Sequence, residues 1–404
     1  MGSHSFGSAS YSEKLEILTG GNKMNPKIKS LDPALLKRNV EARAAEDIAL
    51  CNIAGASVLV KQSGEIKYKK HFGIASLDGR AAVDDRTLFR LASMTKPITA
   101  VAALILSDRG LLDLEAPIEK YLPEFSELFV VEDGKKVIVS EKISVNHILT
   151  HTSGIGSGDV WNDSCKSITD SDKQSVSDFV SFISKQPLSF IPGTKAEYSG
   201  VAAFSVLTAI IEKLTGKTLG QFMKEEIFDK CDMRDTTFEP SDEQLSRMIF
   251  AHDKKDGKNA EAETVQGCVF GDYPCCNHLG GAGLVSTLKD YTNFADMLLA
   301  RGVYNGNRII SEKAFLKMST PQISEQVKLG DYRWGLSVRV ITGEGYGRLP
   351  VGAFGWSGAY GTHFWVDPAN EIIAIYLKNS HHDGGSGAVT SANFERDVSA
   401  SFIN

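Results

Sequence analysis

The sequence predicts an α/β (α+β) fold in which segments from both ends of the chain build one sheet and a mainly helical domain is inserted between them. Two observations carry that reading and a third limits it. Strand patterns occupy the ends: "GASVLVKQSGEIKYKKHFGIAS" (55–76), then "RWGLSVRVI" (333–341), "GTHFWVD" (361–367) and "EIIAIYLKN" (371–379). The long middle carries helical periodicity, punctuated by glycine and proline. No internal repeat interrupts this order, and no apolar run reaches the roughly 18 residues of a membrane span. The expected division is 24–115 with 286–404 as the α/β domain and 116–285 as the helical one, with a cleft between them.

Taken in order, residues 1–23 lack an apolar signal core and read as sequence appended ahead of a start at Met24. A helix follows over 32–48, with Asp32 as cap and Pro33 in its first turn. Residues 55–76 form a hairpin around a Ser-Gly turn, and the basic run "KYKK" (67–70) is the wet face of a strand. The apolar stretch after Ser93, closed by Gly110, is a buried helix. Further helices are expected over 176–186, 201–216 and 218–230. The polar stretch 251–264 is a solvated loop.

Composition excludes several classes of function. Hydrophobic residues make up 42 % of the 404 and charged residues 23 %, as in a globular protein with a sizeable core. A net charge of −6 argues against nucleic acid or an anionic membrane as partner. The six cysteines (51, 165, 231, 268, 275 and 276) show no CxxC spacing, so reduced thiols and a cytoplasmic setting are expected. Cys275, Cys276 and His278 make a poor metal set, because adjacent cysteines are poor co-ligands and no second pair follows at zinc spacing. No cofactor and no metal is expected.

The chemistry centres on "FRLASMTKPITAVAALIL" (89–106). Ser93 precedes Lys96 by three positions, so on a helix both lie on one face. Pro97 costs about 3 kcal/mol in a helix interior, which places the helix start near Ser93, at the positive end of its dipole. Ser-x-x-Lys is weak by itself. It recurs at Ser286 and Lys289, where Thr287 and Asp290 form a capping box that explains the stretch. What distinguishes Lys96 is its apolar setting, since a desolvated lysine loses proton affinity and serves as a base. No G-x-S-x-G, H-E-x-x-H or P-loop motif occurs, and a Ser-His-Asp triad, whose members need only meet in space, stays open.

Five segments in order then resemble the serine β-lactamase and penicillin-recognising family: residues 91–125, "ISVNHILTHTSGI" (143–155), "PGTKAEYSG" (192–200), 279–299 and "FGWSGAYGTHFWVDP" (354–368). The resemblance implies a β-lactamase/transpeptidase-like fold with an antiparallel sheet. It also implies Ser93 as nucleophile, Lys96 as its proton acceptor and Tyr198 as a proton-relaying phenol. The oxyanion hole would use the backbone N–H groups of Ser93 and Ala359, and Trp356, Ser357 and Gly358 would contact substrate. His151 is expected to organise a loop.

Two departures bear on substrate. Where β-lactam- and peptide-processing members carry asparagine, two residues after the tyrosine, this chain has Gly200; where they carry Lys-Thr-Gly or His-x-Gly, it has Trp356-Ser357-Gly358. An indole offers an apolar wall and one N–H where a cation would pair with a substrate carboxylate. The Trp-x-Gly triplet resembles the family VIII carboxylesterases, which implies hydrolysis of small neutral esters, with acyl transfer or weak β-lactamase activity as variants. The alternatives are a β-lactamase or D-amino-acid peptidase that binds its carboxylate through Arg339 or Arg348, and a penicillin-binding or scaffold protein without turnover.

Overall fold

The computed structural model describes residues 28–156, 175–262, 278–327 and 329–403. Helix α1 (Pro33–Ala49) begins at the expected cap, where the Asp32 carboxylate accepts the N–H groups of Ala34 and Leu35 at 2.8 and 3.1 Å. Strands β1 (Gly55–Gln62) and β2 (Glu65–Gly73) form the hairpin. Its two turn residues, Ser63 and Gly64, both take positive φ, as a tight two-residue loop requires. Helix α2 (Thr95–Asp108) is buried from Thr95 to Leu106. Further along the chain, helices α3 (Ala202–Thr215) and α4 (Leu288–Leu299) join α2 in the core. Then follow β3 (Tyr332–Trp334), β4 (Arg339–Ile341), β5 (Phe354–Ser357), β6 (His363–Asp367), β7 (Ile372–Leu377) and the last helix, α5 (Val389–Ser399).

The sheet has seven strands in the order β3-β4-β5-β6-β7-β1-β2, and every neighbouring pair is antiparallel. Both ends of the chain meet where β1 pairs β7, with Val58 opposite Tyr376 and Leu59 opposite Ile375. Alternation then sorts side chains into two cores. Leu59, Phe364, Ile373 and Ile375 face the core that contains α2, α3 and α4; Val58, Trp365, Ala374 and Tyr376 face the one closed by α1 and α5. Burying each large side chain contributes about 1.5–3 kcal/mol, and a one-residue slip would turn every one to the wrong face, so burial fixes the register.

Four local expectations change. Residues 333–341 are not one strand: β3 and β4 are joined by a turn in which Ser337 takes φ +64° and donates its N–H to Leu149. Part of the presumed loop 251–264 is a hairpin, His252–Lys255 with Lys258–Glu261, around Asp256 and Gly257 at positive φ. Its Asp-Gly signal was readable, but polar residues on both faces hid the alternation. The helix from Leu219 is α-helical only to Met223 and continues as a π turn over Lys224–Phe228. At α4, Thr287 caps as expected, but the Asp290 carboxylate accepts from Asp235 N–H (2.7 Å) and the Thr236 hydroxyl (3.0 Å) rather than closing the box.

Cys165, Cys268, Cys275 and Cys276 lie outside the described residues. His278 is spoken for: its Nδ1 accepts the Gly220 N–H at 3.0 Å and its Nε2 lies 3.2 Å from Glu239. Among the described residues no helix is long and apolar enough to cross a membrane.

Candidate active site

Ser93 sits between a two-residue strand, Phe89–Arg90, and helix α2, in a 3-10 turn over Ala92–Met94. The strand is held from two sides. It pairs with Val285–Ser286, and the Asn379 amide both accepts from Arg90 N–H (2.9 Å) and donates to Arg90 C=O (3.0 Å). Ala92 takes φ +47°, a conformation costly for a residue with a Cβ, and this bend sets Ser93 at the head of the helix.

Lys96 is completely buried, with its Nζ 3.1 Å from Ser93 Oγ, 2.7 Å from Gly200 O and 2.8 Å from Gly281 O. A Cβ at Gly281 would stand 3.0 Å from Gly200 O, tighter than ordinary contact, and 3.5 Å from the amine, so glycine eases this close approach. Burial, with no carboxylate to offset it, holds the Lys96 pKa well below its ordinary value. A neutral amine has two hydrogens and one lone pair. The two carbonyls take the hydrogens, which leaves the lone pair for the Ser93 hydroxyl.

Tyr198 completes the cluster, with Lys96 Nζ 4.8 Å from its ring centre. It remains 36 % exposed, so a ligand can reach it. Burial of the phenol pushes its pKa up to about 12, against the opposing pull of Ser93 and Trp356. His151 packs on Tyr198 and Trp334 at 4.6 and 4.4 Å between ring centres. Its Nδ1 accepts the Ser199 N–H (3.2 Å) and its carbonyl accepts the Glu197 N–H (2.9 Å), so it ties 150–156 to the segment bearing Tyr198. With that lone pair occupied and burial lowering its pKa, His151 is a neutral strut.

The Trp356-Ser357-Gly358 triplet divides into three different jobs. Trp356 lies against Tyr198 (5.3 Å) and Trp334 (4.6 Å) and is only 6 % exposed. Ser357 corrects the expectation of substrate contact. It is buried, and its hydroxyl turns to His363 Nδ1 at 2.8 Å, because neighbours along a strand face opposite ways. Gly358 has no side chain to offer a ligand. A Cβ there would collide with the Thr362 hydroxyl and Leu91 O, at 2.1 and 2.3 Å, so glycine is what lets this strand end approach the Ser93 turn. Ala359 follows, exposed, and its N–H donates to no other group among the described residues.

Arg339 and Arg348 do not reach a substrate site; both bind the buried Glu395 carboxylate, at 2.9 and 2.6 Å. Gly281, Asn379, Trp334 and Glu395 are site or supporting residues that sequence reasoning missed. Of these only Gly281 had a visible signal, in "LGGAGL".

Comparison with known proteins identifies the chain's relatives. Esterase EstB of Burkholderia gladioli is 28 % identical over 399 residues, which cover 91 % of this chain and 97 % of that one. An N-acetylmuramyl-L-alanine amidase of Bacillus subtilis (strain 168) is 27 % identical over 394 residues, covering 90 % and 86 %. The structure of EstCE1, a hydrolase with promiscuous acyltransferase activity, superposes with a TM-score of 0.77 at 21 % identity, covering 91 % and 99 %. The Beta-lactamase family model matches residues 37–393, and with it the sheet, α2 and every residue of the Ser93 cluster: the chain belongs to the Beta-lactamase family and is a serine hydrolase of the β-lactamase fold.

Proposed function

We propose that this protein is a carboxylesterase that cleaves small neutral esters through an acyl-enzyme on Ser93. The observation that carries the reading is the buried Lys96 amine, held by the carbonyls of Gly200 and Gly281 with its nitrogen 3.1 Å from Ser93 Oγ. The Ser93 proton passes to Lys96 as Oγ attacks the ester carbonyl carbon. The oxyanion is met by the N–H groups of Ser93 and Ala359. Tyr198, beside Lys96 and Ser93, gives its hydroxyl proton to the departing alkoxide and takes the one held on Lys96; water then attacks the acyl carbonyl, its proton passes through Tyr198 to Lys96, and Lys96 returns it to Ser93 Oγ as the acid leaves.

Selectivity for neutral esters follows from what surrounds the cluster. The two arginines able to pair with a β-lactam or peptide carboxylate are committed to Glu395. Trp356 stands where a cation would serve. Gly200 leaves open space, with nothing within 4 Å of a Cβ there, where an asparagine amide would hold a substrate amide. The relationship to Esterase EstB supports the same choice.

The test is pre-steady-state hydrolysis of p-nitrophenyl butyrate, with mass analysis of the quenched protein and with nitrocefin as competing substrate. A butyryl group on the Ser93 peptide, with nitrocefin turned over at least about a hundredfold more slowly, is the expected result. Faster nitrocefin turnover would favour a β-lactamase, and an acyl group that never leaves would favour a penicillin-binding protein without turnover.

A pH dependence follows from Lys96. Once protonated, its nitrogen has no lone pair, so kcat/KM should rise with pH through the lowered Lys96 pKa and level off well before pH 10.5, the ordinary lysine value. A kcat/KM profile still climbing at that ordinary value would assign the base elsewhere.

A further inference from the structure

The strand bearing Trp356 is joined to the C-terminal helix by a buried chain of hydrogen bonds. Ser357 Oγ lies 2.8 Å from His363 Nδ1 across a directly opposed β5–β6 pair, and His363 Nε2 lies 3.1 Å from Glu395 Oε1 on α5. All three residues are only 2 % exposed. Glu395 also receives Arg339 Nη2 at 2.9 Å, Arg348 Nε at 2.6 Å and the Tyr346 hydroxyl at 3.1 Å from each oxygen.

The direction of this chain is determined by proton counting. Burial by itself would raise the Glu395 carboxyl, but His363 and the two arginines outweigh it and bring the pKa down to about 2. Burial keeps His363 below its ordinary value, so the imidazole is neutral at pH 7. A carboxylate only accepts, which puts the single imidazole hydrogen on Nε2. Nδ1 must then accept, and Ser357 donates to it. The order resembles a serine–histidine–acid triad, but at 2 % exposure Ser357 meets no ester.

What the chain holds lies on the opposite face of β5. Trp356 packs on Tyr198 there. Immediately after Ser357, the Gly358 N–H donates to Thr362 O (2.7 Å), and the Thr362 hydroxyl donates to Leu91 O (2.9 Å), two residues before Ser93. Helix α5 grips the same turn a second time, through the Ser391 hydroxyl on Gly361 O (3.1 Å). Ala359 is at the tip of this turn.

We propose that the Ser357–His363–Glu395 chain is a positioning device for the reaction. It fixes the rotation of the end of β5, and through it the Ala359 N–H and the Trp356 ring relative to Ser93. The inference rests on the esterase reading above. Stability alone does not call for such a chain, because a buried ionic cluster is often replaceable by apolar groups without loss; what it supplies is a single geometry.

Ser357→Ala tests this with the smallest disturbance, since it removes one hydroxyl and leaves the His363–Glu395 pair in place. Ser357→Thr restores the hydroxyl on a side chain suited to a strand. Active sites are counted by titration with a p-nitrophenyl phosphonate, and turnover is measured on p-nitrophenyl butyrate. The expected result is a kcat per active site lowered about tenfold in S357A, with KM within about twofold of wild type and most of the loss recovered in S357T. A wild-type kcat per active site in S357A, or an S357T no better than S357A, overturns the positioning role, as does an acyl group found on Ser357 itself. Failure of the esterase reading looks different. There the wild-type protein leaves Ser93 unacylated, and both proposals fall; with Ser93 acylated and S357A at full rate, only the positioning role falls.

Discussion

Alanine at Ser93 should lower kcat on p-nitrophenyl butyrate by at least about 10⁴-fold, and methionine at Lys96 by a comparable factor. Both expectations come from one geometry, in which the Ser93 hydroxyl lies 3.1 Å from the buried Lys96 amine. Methionine suits position 96 because it fills the buried channel without a charge. It cannot bond to Gly200 O and Gly281 O, so the folded fraction should be checked alongside the rate. Groups that act as a unit fail together, so the double variant should be no slower than Ser93→Ala alone. Initial rates on the four proteins, normalised to folded protein, decide the matter. A Lys96→Met enzyme within about tenfold of wild type would move the base to Tyr198, and an active Ser93→Ala would remove the mechanism.

Glu395→Ala should destabilise the fold by about 3–5 kcal/mol, the usual cost of removing one partner from a buried ionic cluster. Arg339, only 6 % exposed, would keep its charge with no anion beside it, and Arg348, Tyr346 and His363 would each lose an acceptor. Urea denaturation monitored by fluorescence should show a lower midpoint with an unchanged slope. A pH signature accompanies it. The folded Glu395 carboxyl titrates at about 2, below the ordinary 4.5, so its contribution is complete above about pH 4.5 and fades as the pH falls toward 2. The wild-type protein should lose stability over that window, and Glu395→Ala should show a flatter profile there. Equal acid sensitivity in the two proteins would mean that Glu395 is not the carboxylate responsible.

Much of the fold was legible from the ends of the chain because the signals there are local. Strand patterns in 55–76 and 361–379 marked β1, β2, β6 and β7, which are four neighbouring strands of the sheet. Asp32 and Pro33 marked the start of α1 for the same reason, as each acts on its own helix turn. Local reading went wrong where a contact from elsewhere decides conformation. The break between β3 and β4 is stabilised by Leu149, remote in sequence from Ser337. The Asp290 carboxylate left its capping role for Asp235 and Thr236.

The candidate site divides along the same line. Sequence by itself determined that Ser93 and Lys96 share one face of a buried helix start, because a spacing of three is a property of the helix and not of its surroundings. Only the tertiary structure decided that Lys96 is buried between the carbonyls of Gly200 and Gly281, 104 and 185 positions away, that Ser357 turns to His363, and that Arg339 and Arg348 are already paired. Hydrogen-bond partners and desolvation are set by which segments the topology packs together, and no periodicity within a single segment encodes them.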